Sequence, residues 1–169
     1  SQASGVAINM IGMSATSAAL AVSVLALFNA LGRIVAGFIS DKIGRINTLT
    51  GALVLSMVGL CALYFCQVGA VALFYCGVAV VGICFGAFMG VFPGFTVDRF
   101  GAKNNSVNYG IMFIGFALAG YFGPSVMRYV FAADGAYQRA FLIALAFDVA
   151  GIILTFCYRL VLKKSEGEK

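Results

Sequence analysis

The chain has 169 residues, 62% hydrophobic and 10% charged, with a formal net charge of +5. An ordinary soluble domain carries roughly 25% charge, and a single core of this size leaves too much apolar surface in water, so a soluble fold is excluded and a bilayer is the fitting solvent. Histidine is absent, and Cys61, Cys66, Cys76, Cys84 and Cys157 are scattered without a C-x-x-C pair. Zinc, haem and an imidazole proton shuttle are therefore not expected, and the cysteines read as small apolar packers.

The N-terminus has no Met and no basic region ahead of a short apolar core, so it does not read as a signal peptide. It opens in mid-pattern, as a fragment of a longer chain would. Five apolar runs then follow, near Ser14–Ile39, Thr48–Cys66, Val71–Phe95, Ser106–Phe131 and Gln138–Leu160, each close to the ~20 residues a helix needs to cross a bilayer. The expected fold is all-α and polytopic. Residues 14–162 form the bundle, 1–13 lead into it and 163–169 are a tail. Asn47, and Asn105 or Ser106, stand before apolar runs as N-caps should.

Basic residues in short loops set orientation. Lys42, Arg45, Arg99, Lys103, Arg159, Lys163, Lys164 and Lys169 lie at one side, and Arg128 and Arg139 at the other. This bias predicts that the C-terminus and both basic loops are cytoplasmic, with residue 1 outside. Arg128 and Arg139 read as outer interface anchors.

Small residues let membrane helices approach closely. The third run carries Gly82, Gly86, Gly90 and Gly94 at four-residue spacing. Phe74, Phe85, Phe88, Phe92 and Phe95 fall near its other face, to line a cavity or meet lipid. Gly115, Ala119 and Gly123 repeat the small-residue habit in the fourth run, where Gly123-Pro124 is a weak point.

Arg33 lies seven residues before Ser40, about 10 Å into its helix. An arginine there costs roughly 2.5–3.5 kcal/mol on insertion scales, so it marks a function or a partner. Asn29 sits one turn away on the same face, with Ser23 and Ala26 beyond. A guanidinium fork matches the two oxygens of a carboxylate; the competing reading is an arginine that snorkels or pairs with a structural acid. Asp148, near the middle of the fifth run, shares a face with Ala144, Gly151 and Thr155. It reads either as a proton-coupling carboxylate or as an acid that fixes a helix contact.

The loops Asp41-Lys42-Ile43-Gly44-Arg45-Ile46-Asn47 and Asp98-Arg99-Phe100-Gly101-Ala102-Lys103-Asn104 repeat an acid, a cation, an apolar residue, Gly and Asn. Gly44 and Gly101 permit a tight reversal, and Asp41 is placed to cap a neighbouring helix. Each basic patch is short and tethered at a membrane, which makes nucleic acid a poor partner. With no metal cluster and no nucleophile beside a base, an enzyme is the least expected class.

Gly37-x-x-x-Asp41-Lys42-x-Gly44-Arg45 resembles the signature loop of the major facilitator superfamily, G-x-x-x-D-[RK]-x-G-R-[RK], with Ile46 at the last basic position. Asn29-x-x-x-Arg33, Asp98-x-Phe100-Gly101-x-Lys103-Asn104 and Asn108-Tyr109-Gly110 narrow the resemblance to the oxalate/formate antiporter family and its monocarboxylate-carrier relatives. It covers nearly the whole chain as helices eight to twelve of a twelve-helix carrier, with residues 1–13 the end of helix seven or its loop. The resemblance implies secondary active transport by alternating access against a missing N-terminal six-helix half, by symport or antiport, with protons a candidate coupling partner and no cofactor. It makes Arg33 the cation that binds a substrate carboxylate, and adds Asn29, Tyr109, Phe113 and Phe116 as wall residues. Dicarboxylate-carrying relatives place a second cation near Phe116; with one cation, a monocarboxylate of the pyruvate, lactate or formate type is expected. Helix twelve is usually peripheral, which argues against proton coupling by Asp148. Asp41 would help latch the cytoplasmic side. The alternatives are a carrier for a neutral or cationic solute with Arg33 structural, and a non-transport membrane subunit.

Overall fold

A computed structural model describes residues 2–167; the expectations for residue 1 and Lys169 lie outside the described residues. Among the described residues six helices follow one another: α1 (Gln2–Ile11), α2 (Ala15–Ile43), α3 (Arg45–Tyr64), α4 (Val71–Phe100), α5 (Asn105–Asp134) and α6 (Gln138–Gly167). All but α1 are long and apolar enough to cross a membrane. The polytopic all-α expectation holds, and the short helix α1 packs beside α2 and α4.

The ends of the helices are set by local chemistry. The Ser14 hydroxyl accepts the Ser17 amide at 3.2 Å and starts α2. At the basic end, Gly44 and Gly101 take φ of +88° and +78°, a backbone that only glycine adopts without strain. Their amides donate to the carbonyls of Ser40 and Val97 and close the preceding helices.

This chemistry corrects the expected caps. Asn47 lies inside α3 and donates to the Ile43 carbonyl at 2.7 Å, because α2 runs on to Ile43 and one glycine makes the whole reversal. Asn105 and Ser106 likewise lie within α5, and the residue flanking that helix is Asn104, which makes no side-chain cap bond. Asp41 caps no neighbouring helix either; its carboxylate pairs with Arg45 at 3.1 Å.

The glycine stripe of α4 brings the backbones of α2 and α4 together. A methyl group on Gly86 would fall on the Asn29 carbonyl, and one on Gly90 would lie 2.8 Å from the Arg33 carbonyl oxygen. Gly32 of α2 answers from the other side, against the carbonyl of Ile83. Helix association in lipid rests on this kind of close van der Waals fit, since burial of apolar surface drives little there.

The aromatic residues of α4 do not share one fate. Phe74 is buried in a core shared by α1, α2, α3 and α6. Phe88 and Phe92 stack at 6.2 Å and pack on a second core of Ala36, Leu49, Ala52, Ala87 and Val91. Phe95 meets Tyr158 of α6 edge-on, and Phe85 stacks on Phe116 of α5.

The small residues of α5 depart from expectation. Gly115 and Gly123 face open space, and Val130 is the buried residue of this helix. α5 touches α4 and α6 only lightly, so Gly115 and Gly123 meet no neighbouring helix among the described residues. The Gly123-Pro124 pair leaves α5 continuous.

α6 packs on α3, and a methyl group on Gly151 would come within 3.1 Å of the Leu53 side chain. The stripe around Asp148 therefore does turn inward. Elsewhere large apolar side chains face outward, with Ile34 at 72% and Phe147 at 73% exposure. Such a surface is a liability in water and the proper one in hydrocarbon.

Candidate functional site

Arg33 is held by its own helix. Its Nε donates to Asn29 Oδ1 at 3.1 Å, one turn away, and the backbones of both residues are clamped by Gly86 and Gly90. The Arg33 side chain is exposed, and none of the ion pairs among the described residues includes it. One guanidinium N–H is thus occupied, and the remaining donors are free for a planar anion. Ser23 does not join them; its hydroxyl donates back to the Ala19 carbonyl.

A second group stands on α5. Tyr109, Phe113 and Phe116 form a ladder with ring centroids 5.6 and 4.8 Å apart, and Phe85 of α4 continues it at 5.9 Å from Phe116. Beside the ladder is an open hollow of about 440 Å³, lined by Ser106, Tyr109, Gly110 and Phe113 among others. No hydrogen bond or ring contact among the described residues joins this ladder to Arg33.

Asp148 occupies a third place. It lines a cavity of about 1050 Å³ between the helices, together with Ser56, Phe85, Phe122 and Met127. The Ser56 hydroxyl of α3 is its polar neighbour. The other carboxylate oxygen is buried with no hydrogen-bond partner.

At the basic end the signature residues meet in one network. The Arg45 guanidinium reaches Asp41 at 3.1 Å, Asp98 at 3.2 Å and the Ser40 hydroxyl at 2.7 Å. Gly94 of α4 leaves the room it needs, for a methyl group there would lie 2.7 Å from the guanidinium carbon. Gly37 faces open space and Lys42 lies over the Phe38 ring at 4.5 Å. At the opposite end Arg139 pairs with Asp134 at 3.1 Å, and Arg128 is exposed. The five cysteines are free thiols. Between α3 and α4, burial pushes the Cys66 thiol up, which keeps it protonated and unreactive.

A family profile described as Major Facilitator Superfamily matches residues 3–169. The chain belongs to that superfamily. It is accordingly an integral, multi-pass membrane protein of a transporter family. It is 35% identical over 116 residues to the "Uncharacterized MFS-type transporter YhjX" of Escherichia coli (strain K12), covering 69% of this chain and 29% of that protein. It is 32% identical over 147 residues to the "Oxalate:formate antiporter" of Oxalobacter formigenes, covering 86% of this chain and 35% of that protein. The chain thus spans about a third of the length of these curated relatives.

Within this superfamily member, the structure joins Arg33 to Asn29, Tyr109 to Phe113 and Phe116, and Asp41 to Asp98 through Arg45. Asp148 stays apart from the Arg33 and Arg45 groups and shares a cavity with Phe85, at the end of the aromatic ladder. Ser56 beside Asp148 was missed by sequence reasoning, whereas Phe85, read as lining a cavity or meeting lipid, extends the α5 ladder and lines the cavity. Phe85 carried a usable signal, being the aromatic next to Gly86 at the point where α4 touches α2. Ser56 carried none, because a lone serine in an apolar run announces no partner.

Proposed function

We propose that the full-length protein is a secondary active transporter of a small organic anion, most simply a monocarboxylate, that works by alternating access. The observation that carries this reading is Arg33 itself: a membrane-embedded guanidinium oriented by an amide, with no acid among its described partners. An amide fixes the plane of the fork without neutralising it, so the charge is available to a passing carboxylate. The aromatic ladder of Tyr109, Phe113, Phe116 and Phe85 supplies the apolar wall. The relative named an oxalate:formate antiporter supports an anion as cargo. Phe116 at the place of a second cation favours one carboxylate over two. In this reading the basic loops and the C-terminus face the cytoplasm, and the Asp41–Arg45–Asp98 network holds that end together.

The test is uptake of labelled pyruvate into vesicles by the full-length protein, with a competing panel. Lactate and formate are expected to compete and oxalate to compete poorly; a carrier of neutral or cationic solutes would ignore all of them.

Asp148 is assigned the structural role, fixing α6 on α3 beside Ser56. Asp148→Asn keeps a polar group of the same shape, so uptake and its dependence on external pH are expected to stay unchanged. A variant that still exchanges substrate but loses proton-driven accumulation would move Asp148 to the coupling machinery.

A further inference from the structure

We propose that the basic end of α4 and α6 binds the headgroup of one anionic phospholipid, between Arg99 and Arg159. The two arginines are brought to one turn of α6 by consecutive residues. The Arg99 guanidinium lies over the Tyr158 ring at 5.3 Å, and Tyr158 is set by its edge contact with Phe95 at 5.8 Å. Arg159 is anchored on α3 through a 3.2 Å bond from its guanidinium to the Thr50 hydroxyl.

Both of these partners are neutral, and no ion pair among the described residues includes either cation. The two described carboxylates at this end, Asp41 and Asp98, are both turned to Arg45. A ring face and a hydroxyl orient the guanidinium groups while leaving most of their donors free. Two oriented forks suit a phosphodiester, whose paired oxygens accept in one plane.

The surroundings select a lipid over a free anion. Leu160 and Val161 next to Arg159 are 65% and 67% exposed, so the site borders an apolar surface where acyl chains would lie. Basic residues held at the ends of membrane helices attract anionic lipid headgroups. The site does not depend on which solute the carrier moves, so it stands or falls separately from the proposed transport activity.

The experiment uses the full-length carrier, delipidated in nonionic detergent and titrated with a soluble short-chain phosphatidylglycerol, with bound lipid counted by native mass spectrometry. Saturable binding of one lipid per carrier is expected for the unmodified protein. Arg99→Gln with Arg159→Gln should weaken it on the order of tenfold. Lys42→Gln with Lys103→Gln removes the same charge from the same end and should leave it within about twofold. Equal losses in both pairs would mean diffuse attraction and overturn the site. So would non-saturating uptake by the unmodified carrier, a result that needs no variant to fold. Displacement of the lipid by inorganic phosphate would also overturn it, by making the site one for a free anion.

Discussion

Arg33→Gln is expected to lower carboxylate uptake about a hundredfold while leaving the amount and melting temperature of the full-length carrier nearly unchanged. The two halves of this expectation have different origins. A charged hydrogen-bonded partner removed from a desolvated contact costs on the order of 2–5 kcal/mol, and here that contact forms only when substrate is bound. Stability is affected by two opposing terms. The variant gives up the charged hydrogen bond from Arg33 to Asn29, worth about 1.5–3 kcal/mol. It also relieves an insertion cost of roughly 2.5–3.5 kcal/mol. These nearly cancel, so folding and transport should separate.

Arg33→Lys is the finer probe. It keeps the charge but presents a point where the fork was, and about a tenfold loss is expected from the missing second N–H. Uptake of labelled pyruvate into vesicles, scaled to the amount of monodisperse carrier, measures both variants. If both transport normally, the anion clamp is wrong. If Arg33→Gln instead melts the protein, the arginine is a structural member of α2.

What the sequence displayed and what it hid divide along physical lines. Span lengths and the α4 contact face were visible, because bilayer thickness fixes the first and glycines at four-residue spacing leave little else for the second. The Arg33–Asn29 pair was visible for the same reason: i and i+4 on a helix are neighbours before any tertiary structure forms. Asp41 and Lys42 looked like loop, since polar residues usually end a membrane helix. They lie within α2 because the glycine that can take a positive φ comes two residues later.

Arg45 with Asp98 could not be read locally, being 53 residues apart. α5 is the sharpest case. Its small-residue stripe has the same four-residue spacing as that of α4, yet Gly115 meets nothing and Gly86 meets a carbonyl. Composition states that a face is able to approach another helix; which helix, if any, is decided by the order in which they pack.

That distinction gives the second large effect. Gly86→Ala is expected to destabilise the full-length carrier by about 1–3 kcal/mol, the range for a methyl group forced into a filled contact. It should also raise the KM for carboxylate. The obstacle is the Asn29 carbonyl, part of a helix backbone that cannot rotate aside as a flexible side chain would. α2 must therefore move away as a whole and carry Asn29 and Arg33 with it.

Gly51→Ala is the control, because a methyl group at Gly51 on α3 meets nothing within 4 Å. There the substitution only restricts the unfolded backbone and favours the helix, worth roughly 0.5–1 kcal/mol of added stability. The pair should therefore move the melting midpoint in opposite directions, although both put an alanine into a membrane helix. Should the two shift it alike, helix propensity would govern both sites and the close approach of α2 and α4 would not. Should Gly86→Ala melt early yet keep its KM, the glycine stripe would hold the fold together without positioning Arg33.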